Sequence, residues 1–398
     1  MPFLLPRRVY ARRIAPVLIG VLAVPVLLAT TSSSVAVSCA STGSLHRIKH
    51  QVLRDKVVID TFRATVTTSG HSRSANVIRT TLPQGTSPKL IRQSFGLVKP
   101  ISDQVRSQAP RALAAINGDF FAYYRVGHGN VLLPWSSSVT GTKLLRGFGN
   151  AHPVVGVDVS GHPYGGPLAV SGTVADGSVS YQVRGVNTES VVSDGATVYT
   201  RAWYPSSSTP RPAGATEWVV SHRQIAQIWT GHSNGSPVPA GSKVVAFGSG
   251  VAAQAANAKV GDPVSVRYTQ VTSSGVKLRE AVGIRQAMIK ASFVTLDCRA
   301  FDAEARPRTS IGWTAKGRWM TLIVPGTGYD PTGYRIGGFD VPEEAAVASH
   351  LGFNEAFILD GGGSVTEWAR HGRSWGRVDD SNSAWERYVP NGLAFVRP

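Results

Sequence analysis

Cysteine is nearly absent: Cys39 and Cys298 are the only two in 398 residues, so at most one intrachain disulfide can form. No His or Cys pair falls at metal-ligand spacing, and no repeat of fixed period runs through the chain. Charge is scarce and lopsided, at 16% of residues, with 41 Lys and Arg against 24 Asp and Glu. Together with 42 Gly and abundant Ser, Thr and Val, this argues for a strand-rich protein of extracellular type and against a disordered one. The longest apolar run, Ala15 to Ala29, is about fifteen residues where a membrane span needs roughly 20. Nothing after it is long enough to span.

That run follows Arg7, Arg8, Arg12 and Arg13 and precedes small residues up to Ala40, which is the layout of an export signal. Residues 1–39 are therefore expected to be a signal peptide, with an uncleaved anchor or a lipoprotein as alternatives. Ala36-Val37-Ser38-Cys39 resembles a lipoprotein cleavage site, with Ala36 where Leu is usual. Lipidation or removal of Cys39 leaves Cys298 a lone thiol; otherwise a disulfide is allowed. The net charge is +17, and +13 without the four leader arginines. Such an exported, secreted or surface-associated chain favours anionic partners such as phosphate-bearing envelope polymers, although the excess also simply aids solubility.

Residues 40–55 read as a leader into the domain, 40–110 as its N-terminal strand-rich part, and 111–398 as the main catalytic region. Short alternating runs such as Val57 to Val66, Asn76 to Thr81, Val154 to Val159 and Val264 to Tyr268 are separated by Gly, Pro and Ser turns, as in an antiparallel region. Ser102 to Gln108 and Val341 to Leu351 read as helices. Asp340, Pro342 and Glu343 supply a cap, an early proline and a capping box, and Gly352 a stop. Tyr123 to Gly149, with His128, Trp135 and Lys143, reads as a long loop or hairpin of the kind that forms lids. The expected fold class is α+β: mixed, largely antiparallel sheets with packed helices in a single catalytic domain.

Two stretches repeat one arrangement. Ala356-Phe357-Ile358-Leu359 is a buried strand that ends in Asp360-Gly361-Gly362-Gly363-Ser364. Ala112 to Ile116 is another, ending in Asn117-Gly118-Asp119. Each delivers a carboxylate beside glycine at the end of a core strand, and two such ends can converge at one sheet edge. Consecutive glycines let a ligand approach the backbone, and a run of free amides makes an anion-binding concavity. The plainer alternatives are a tight turn at the glycines and, for Asn-Gly, a hairpin. Arg308 opens a hairpin, where its planar fork suits phosphate or carboxylate, or stands as surface charge. Trp368, Arg370, His371, Arg373, Trp375, Arg377, Trp385 and Arg387 interleave aromatic and basic groups. In an exported chain these fit sugar rings and phosphates better than nucleic acid.

Taken in order, Ala115 to Phe121, Pro307 to Gly312, Leu359 to Ser364 and Arg387 to Leu393 resemble the phosphodiester glycosidase family, with Gly185 to Asn187 and Val198 to Thr200 fitting its middle. Pro325-Gly326 departs from the Asp-Gly of many relatives, and Tyr123 to Arg146 matches poorly. The resemblance implies hydrolysis of a sugar-1-phosphodiester, releasing free sugar and a phosphomonoester. It implies catalytic roles for Asp360, Asp119 and Arg308. Asn117, Gly118, Thr309, Gly361, Gly362, Gly363, Ser364 and Arg387 would bind substrate. The leaving phosphate is a good one, so the chemistry needs charge stabilisation of that phosphate and a carboxylate near C1. No cofactor is required, while carboxylate oxygens would accept a divalent cation. The expected partner is a phosphate-bearing carbohydrate, with no nucleic acid or protein partner and with membrane contact only through the signal or a lipid anchor. The alternative is a non-catalytic module that holds anionic envelope glycopolymers.

Overall fold

The computed structural model describes residues 39–68, 70–126, 129–177, 179–203, 209–210, 214–231, 235, 237–296, 304–329, 335–379 and 386–397. Residues 1–38 of the expected export signal, His128, Cys298 and Trp385 lie outside them. Strand accounts for 54% of the structure and helix for 9%, so the protein is largely β rather than a balanced α+β. The physical reason lies in the short alternating runs, which among the described residues leave three α-helices.

Two sheets stack face to face. The first has eight strands, with Ser72–Thr81, Trp319–Val324, Arg308–Trp313 and Glu355–Ile358 adjacent at its centre, all antiparallel. The second has five, with Ala114–Asn117 in the middle between Glu367–His371 and Asn391–Val396. Alternate residues from both sheets meet between them, among them Ile78, Ile116, Ile311, Trp313, Phe357 and Phe395. The other face of the first sheet packs under the helix Val341–His350 through Val77, Met320, Leu322, Ala345 and Val347. The other face of the second packs on the helix Ile101–Gln108 through Ile91, Val105, Ala115 and Ala394. Helix, sheet, sheet and helix therefore form four layers, each burying the period-two or helical stripe of its neighbour.

The first sheet begins with Ala40–Val52, paired over its length with Val58–Thr68. Residues 40–55 are thus mostly strand, not a leader, because the alternating pattern from Ala40 finds an edge to extend. Cys39 is disulfide-bonded.

The rest of the chain forms an eleven-stranded sheet built from the middle of the sequence. Pro163–Ala175 pairs with both His152–Asp158 and Ser180–Val186. This closes a six-membered ring that includes Lys143–Phe148, Ser138–Thr140 and Leu278–Gly283, filled by Val139, Leu144, Val154, Leu168, Val183 and Ala281. Of the two readings of Tyr123 to Gly149, loop or hairpin, the hairpin holds: Phe121–Val126 pairs with Gly129–Pro134, and two strands of the ring follow. Ser136 and Gly141 sit at bends and turns between these strands, whereas Gly129, Ser138 and Gly147 lie within them. Among the described residues, no helix is long and apolar enough to cross a membrane.

Val341–His350 starts as the sequence predicts. Asp340 accepts from the Glu343 N–H at 2.8 Å and Glu343 returns the bond to the Asp340 N–H at 2.9 Å. Gly352, just beyond the end, takes φ +86°, which glycine adopts without strain. Replacing Asp340 by Ala removes the cap and should lower stability by about 1 kcal/mol. A urea midpoint unmoved at constant slope would show that packing alone holds the helix.

Candidate functional site

The two motif strands end at the same edge of the stacked sheets. Asn117, fully buried, closes the end of the central strand of the second sheet. Its Nδ2 donates to the Asp360 carbonyl at 2.7 Å, and its Oδ1 accepts from the Thr309 hydroxyl at 2.9 Å and the Thr366 N–H at 3.2 Å. One side-chain amide therefore ties the Asp360 and Arg308–Thr309 strand ends of the first sheet to the second. The Asn-Gly pair is not a hairpin turn: Ala114–Asn117 pairs with two strands distant in sequence. Gly118 has a packing reason, since a Cβ there would lie 2.2 Å from Asn391 Oδ1. That same oxygen accepts the Asp119 N–H at 2.9 Å.

Asp119 is 2% exposed. Its Oδ2 accepts the Ser136 N–H at 2.8 Å, and its Oδ1 has no partner among the described residues. Burial pushes this carboxyl up to about 7; the Ser136 N–H and the Arg146 charge pull it down, and the Asp360 charge adds to the rise. Asp360 is less enclosed. Burial raises it to about 6, opposed by its bond with Ser364, the Arg387 charge and the Gly361 N–H. Arg387 donates to Ser364 Oγ at 3.1 Å and lies 4.9 Å from the centre of the Phe121 ring. Asp360, Ser364 and Arg387 thus form one acid–hydroxyl–cation group at the open side of Asn117.

Several expected site residues take other tasks. Arg308 is 2% exposed, and its guanidinium donates to the carbonyls of Phe339 at 3.0 Å and Glu304 at 2.7 Å. Burial raises Glu344 and Asp340 at the neighbouring helix, and the Arg308 charge offsets a small part of that rise. It anchors the helix and loop rather than presenting a fork to a ligand, because a buried arginine needs its donors satisfied inside. The run of free glycine amides is also not found. The Gly361 N–H points to its own neighbour Asp360 at 3.0 Å, Gly362 donates to the Pro307 carbonyl at 2.9 Å, and Ser364 to the Gly361 carbonyl at 3.1 Å. Gly361 and Gly362 make a tight turn in which Gly362 holds φ +58°. Thr309 is fully buried and serves Asn117. The aromatic and basic side chains after Asp360 are largely structural too: Arg377 pairs with buried Asp379 at 3.0 Å, and Arg106 lies 5.5 Å from the Trp368 ring centre.

Sequence reasoning missed Arg146. It lies on the ring strand Lys143–Phe148, on the face opposite Leu144 and Gly147, and is wholly buried. It donates to the Asn187 carbonyl at 2.6 Å and to Glu189 Oε2 at 2.5 Å, while its Nε lacks a partner among the described residues. Its charge acts on Asp119 and, with burial, lowers His152. Burial and Glu189 raise Tyr124 nearby. One signal was available: Arg146 is the one charged residue in the run Leu144 to Phe148, which is too apolar for a solvated strand, so a buried and paired arginine is expected there.

Among the described residues, the group with chelating spacing is His71, Asp340 and Glu343, with ligand atoms within 4.8 Å of one another. These groups are already engaged. Asp340 and Glu343 form the helix capping box, and Glu343 pairs with His71 at 3.0 Å and Arg73 at 3.1 Å. Such a donor set suits capping better than a cation.

Residues 214–396 match the family model described as phosphodiester glycosidase. The fold is similar to that of a hypothetical protein from Synechocystis, with TM-score 0.64 and 20% identity over 85% of this chain and 62% of that one. The chain thus spans about three fifths of the Synechocystis protein. A presumed exported protein of Burkholderia pseudomallei aligns with TM-score 0.62 and 18% identity, covering 84% of this chain and 74% of that one. The catalytic domain of zebrafish N-acetylglucosamine-1-phosphodiester alpha-N-acetylglucosaminidase, auto-inhibited by its pro-peptide, aligns at TM-score 0.44 and 12% identity over 90% and 89% of the two chains. No curated protein matches.

Both raised carboxyls hold protons in the fold that the unfolded chain releases near its ordinary value of 3.8. Folding stability should therefore fall as pH rises from about 4 and level off above about 7. Asp119→Asn cannot ionise, so its urea midpoint should gain on that of the wild type between pH 4 and pH 8. A difference constant across that range would mean that Asp119 is ionised throughout.

Proposed function

We propose that the phosphodiester glycosidase domain at residues 214–396, completed by Asn117 and Asp119 from outside that window, is an exported hydrolase of sugar-1-phosphodiesters. The observation that carries this is the pair of carboxyls at one sheet edge, Asp119 held towards neutrality by burial and Asp360 less so beside a cation. Environments that push two carboxyls apart assign one as acid and the other as base or nucleophile. In this reading the Asp360 carboxylate faces C1 and stabilises the oxocarbenium-like transition state. As the C1–O bond breaks, the electron pair leaves with the phosphate. Asp119 gives its buried proton to the leaving phosphate oxygen, while water supplies the new oxygen at C1 and passes its proton to the Asp360 carboxylate.

The departing phosphomonoester needs positive charge where its own develops. Arg387 takes that role beside Asp360, and Arg146 takes it beside Asp119. Arg308 holds the Phe339 and Glu304 backbone that frames the edge. Export is supported by the arginine-flanked apolar leader in the sequence and by the Cys39 disulfide, a bond favoured in oxidising compartments. The binding-module alternative makes no use of a buried carboxyl with an unpaired oxygen, which costs stability unless something engages it.

The test is release of free sugar from UDP-N-acetylglucosamine and a panel of sugar-1-phosphodiesters, comparing wild type with Asp360→Asn and Asp119→Asn. Loss of at least about a hundredfold in turnover is expected for each, as for removal of a general acid or base. Near-normal release by both variants would sink the assignment. Two coupled carboxyls near 6 and 7 also imply a bell-shaped kcat/KM profile. Its low-pH limb reports loss of the Asp360 charge and its high-pH limb loss of the Asp119 proton. A profile flat from pH 5 to pH 8 would remove both from the rate-determining chemistry.

A further inference from the structure

Three cavities run into one another away from the carboxyls. The largest, about 810 Å³, is lined by Arg92, Lys143, Arg201, Lys243, Arg267 and Lys277. A second, of about 540 Å³, shares Lys243 and Arg267 and adds Arg223. A third, also about 540 Å³, shares Arg92 and adds Lys89. No carboxylate lines any of them.

A general excess of base does not explain this. Elsewhere the chain neutralises its cations closely: Asp60 takes Arg47, His50 and Arg79, and Glu343 takes His71 and Arg73. Among the described residues, the cations of the trough have no such partner; where bonded at all, as in Lys89 to the Gln108 carbonyl and Arg201 to the Val238 carbonyl, they meet backbone. Lys243 and Arg92 are, in addition, partly desolvated, and burial lowers both. Each is steadied by an aromatic ring, Tyr268 at 5.5 Å and Phe95 at 5.6 Å. Like charges gathered without counter-charge repel one another and cost stability, a cost that a polyanion lying along them reverses.

The trough also shares a wall with the candidate site. Leu145 and Thr200 line it. Asn187 donates to the Leu145 carbonyl at 2.6 Å, accepts the Thr200 N–H at 2.8 Å, and offers its own carbonyl to Arg146. We propose that this trough is an exosite that holds successive phosphates of a phosphodiester-linked sugar polymer while one linkage lies at the Asp119–Asp360 edge; this rests on the glycosidase reading. Nucleic acid fits less well. Single strands bind through aromatic stacking platforms, and the one aromatic residue in the lining, Tyr268, already has Lys243 over its ring. The hydroxyls of Thr142, Thr269 and Ser265 suit a sugar chain instead.

The experiment uses the full chain and a triple variant, Lys143→Gln with Arg267→Gln and Lys277→Gln, all exposed and none at the carboxyls. Fluorescence anisotropy with labelled inorganic polyphosphate reads binding, oligo-dT is the competitor, and UDP-N-acetylglucosamine hydrolysis reads the site. Wild-type affinity should fall steeply with salt, and the triple variant should lose about tenfold or more, with sugar release unchanged. Polyphosphate binding within about twofold of wild type overturns the exosite, given that each counter-charge lost weakens binding. Should oligo-dT displace polyphosphate at lower concentration than polyphosphate displaces it, the trough is a nucleic-acid track and the sugar-polymer assignment falls. Polyphosphate binding lost in the variant with no sugar release by wild type keeps the trough and removes the glycosidase reading. Lys277→Gln alone, at a strand end, gives a smaller loss in the same direction if the triple variant does not fold.

Discussion

The Asn117 side chain is the constraint on which the candidate site depends. A buried primary amide must satisfy donors and acceptors at once, and here they come from two sheets. Thr309 and Asp360 belong to the first, Thr366 to the segment entering the second. Sliding one sheet against the other would strand an amide, a hydroxyl and two backbone groups away from water, each costing about 1–3 kcal/mol. Asn117 therefore fixes the registry of two strand ends to hydrogen-bond precision. Further into the same interface Glu367 accepts from Thr321 at 2.7 Å. Burial lifts that acid to about 8, so it crosses the sheet boundary as a neutral group near neutral pH. Polar clasps thus set the relative position of sheets that their apolar faces alone would hold only loosely, since hydrophobic burial has no direction.

Burial then does the electrostatic work. Asp119 is buried, with Gly283 so close that a Cβ there would lie 2.2 Å from its Oδ2. That glycine lies in the ring of strands, as does Arg146. One carboxyl comes from the sandwich and the nearest buried cation from the ring, and each keeps an unpaired polar atom. Their opposite charges favour ionisation of Asp119 while desolvation opposes it more strongly, leaving a group that titrates near neutrality. The fold obtains this by burying a single arginine on the outer face of a ring strand, where it needs Asn187 and Glu189 to be held.

Much of the sandwich was legible in the sequence, because its signals are local. The Asp340 capping box, the helix before Pro110 and the apolar strands ahead of Asp119 and Asp360 follow from spacing that the tertiary structure does not override. Around residues 123–149 the hairpin was legible only as one of two alternatives, and the ring that follows it was not legible. The glycines and serines there look like loop when read alone; the strands pair locally as hairpins, and only the pairing of Ser138–Thr140 with Leu278–Gly283, far along the chain, builds the second of them into the ring. Arg308 shows the same limit from the other side. At the start of a hairpin it looks available for an anion, yet helix Val341–His350 brings the Phe339 carbonyl to within 3.0 Å of its Nε. The conformation of the three glycines, too, is decided by what lies across from them, the Pro307 carbonyl that Gly362 bonds.

The family match over residues 214–396 holds Asp360, Ser364 and Arg387 but neither Asp119 nor Arg146. Cut at residue 214, the chain would lose Ala114–Asn117, the central strand against which Glu367–His371 and Asn391–Val396 both pair. It would also lose Ser72–Thr81, which borders Trp319–Val324. The matched stretch therefore cannot bury its own sheets, and the oxygen of Asn391 that orients Asp119 would face nothing. What is contiguous as a pattern is not contiguous as a folding unit. The clasp at Asn117 binds the two portions of the sequence into one sheet edge, so any chemistry that uses both carboxyls belongs to the whole described domain.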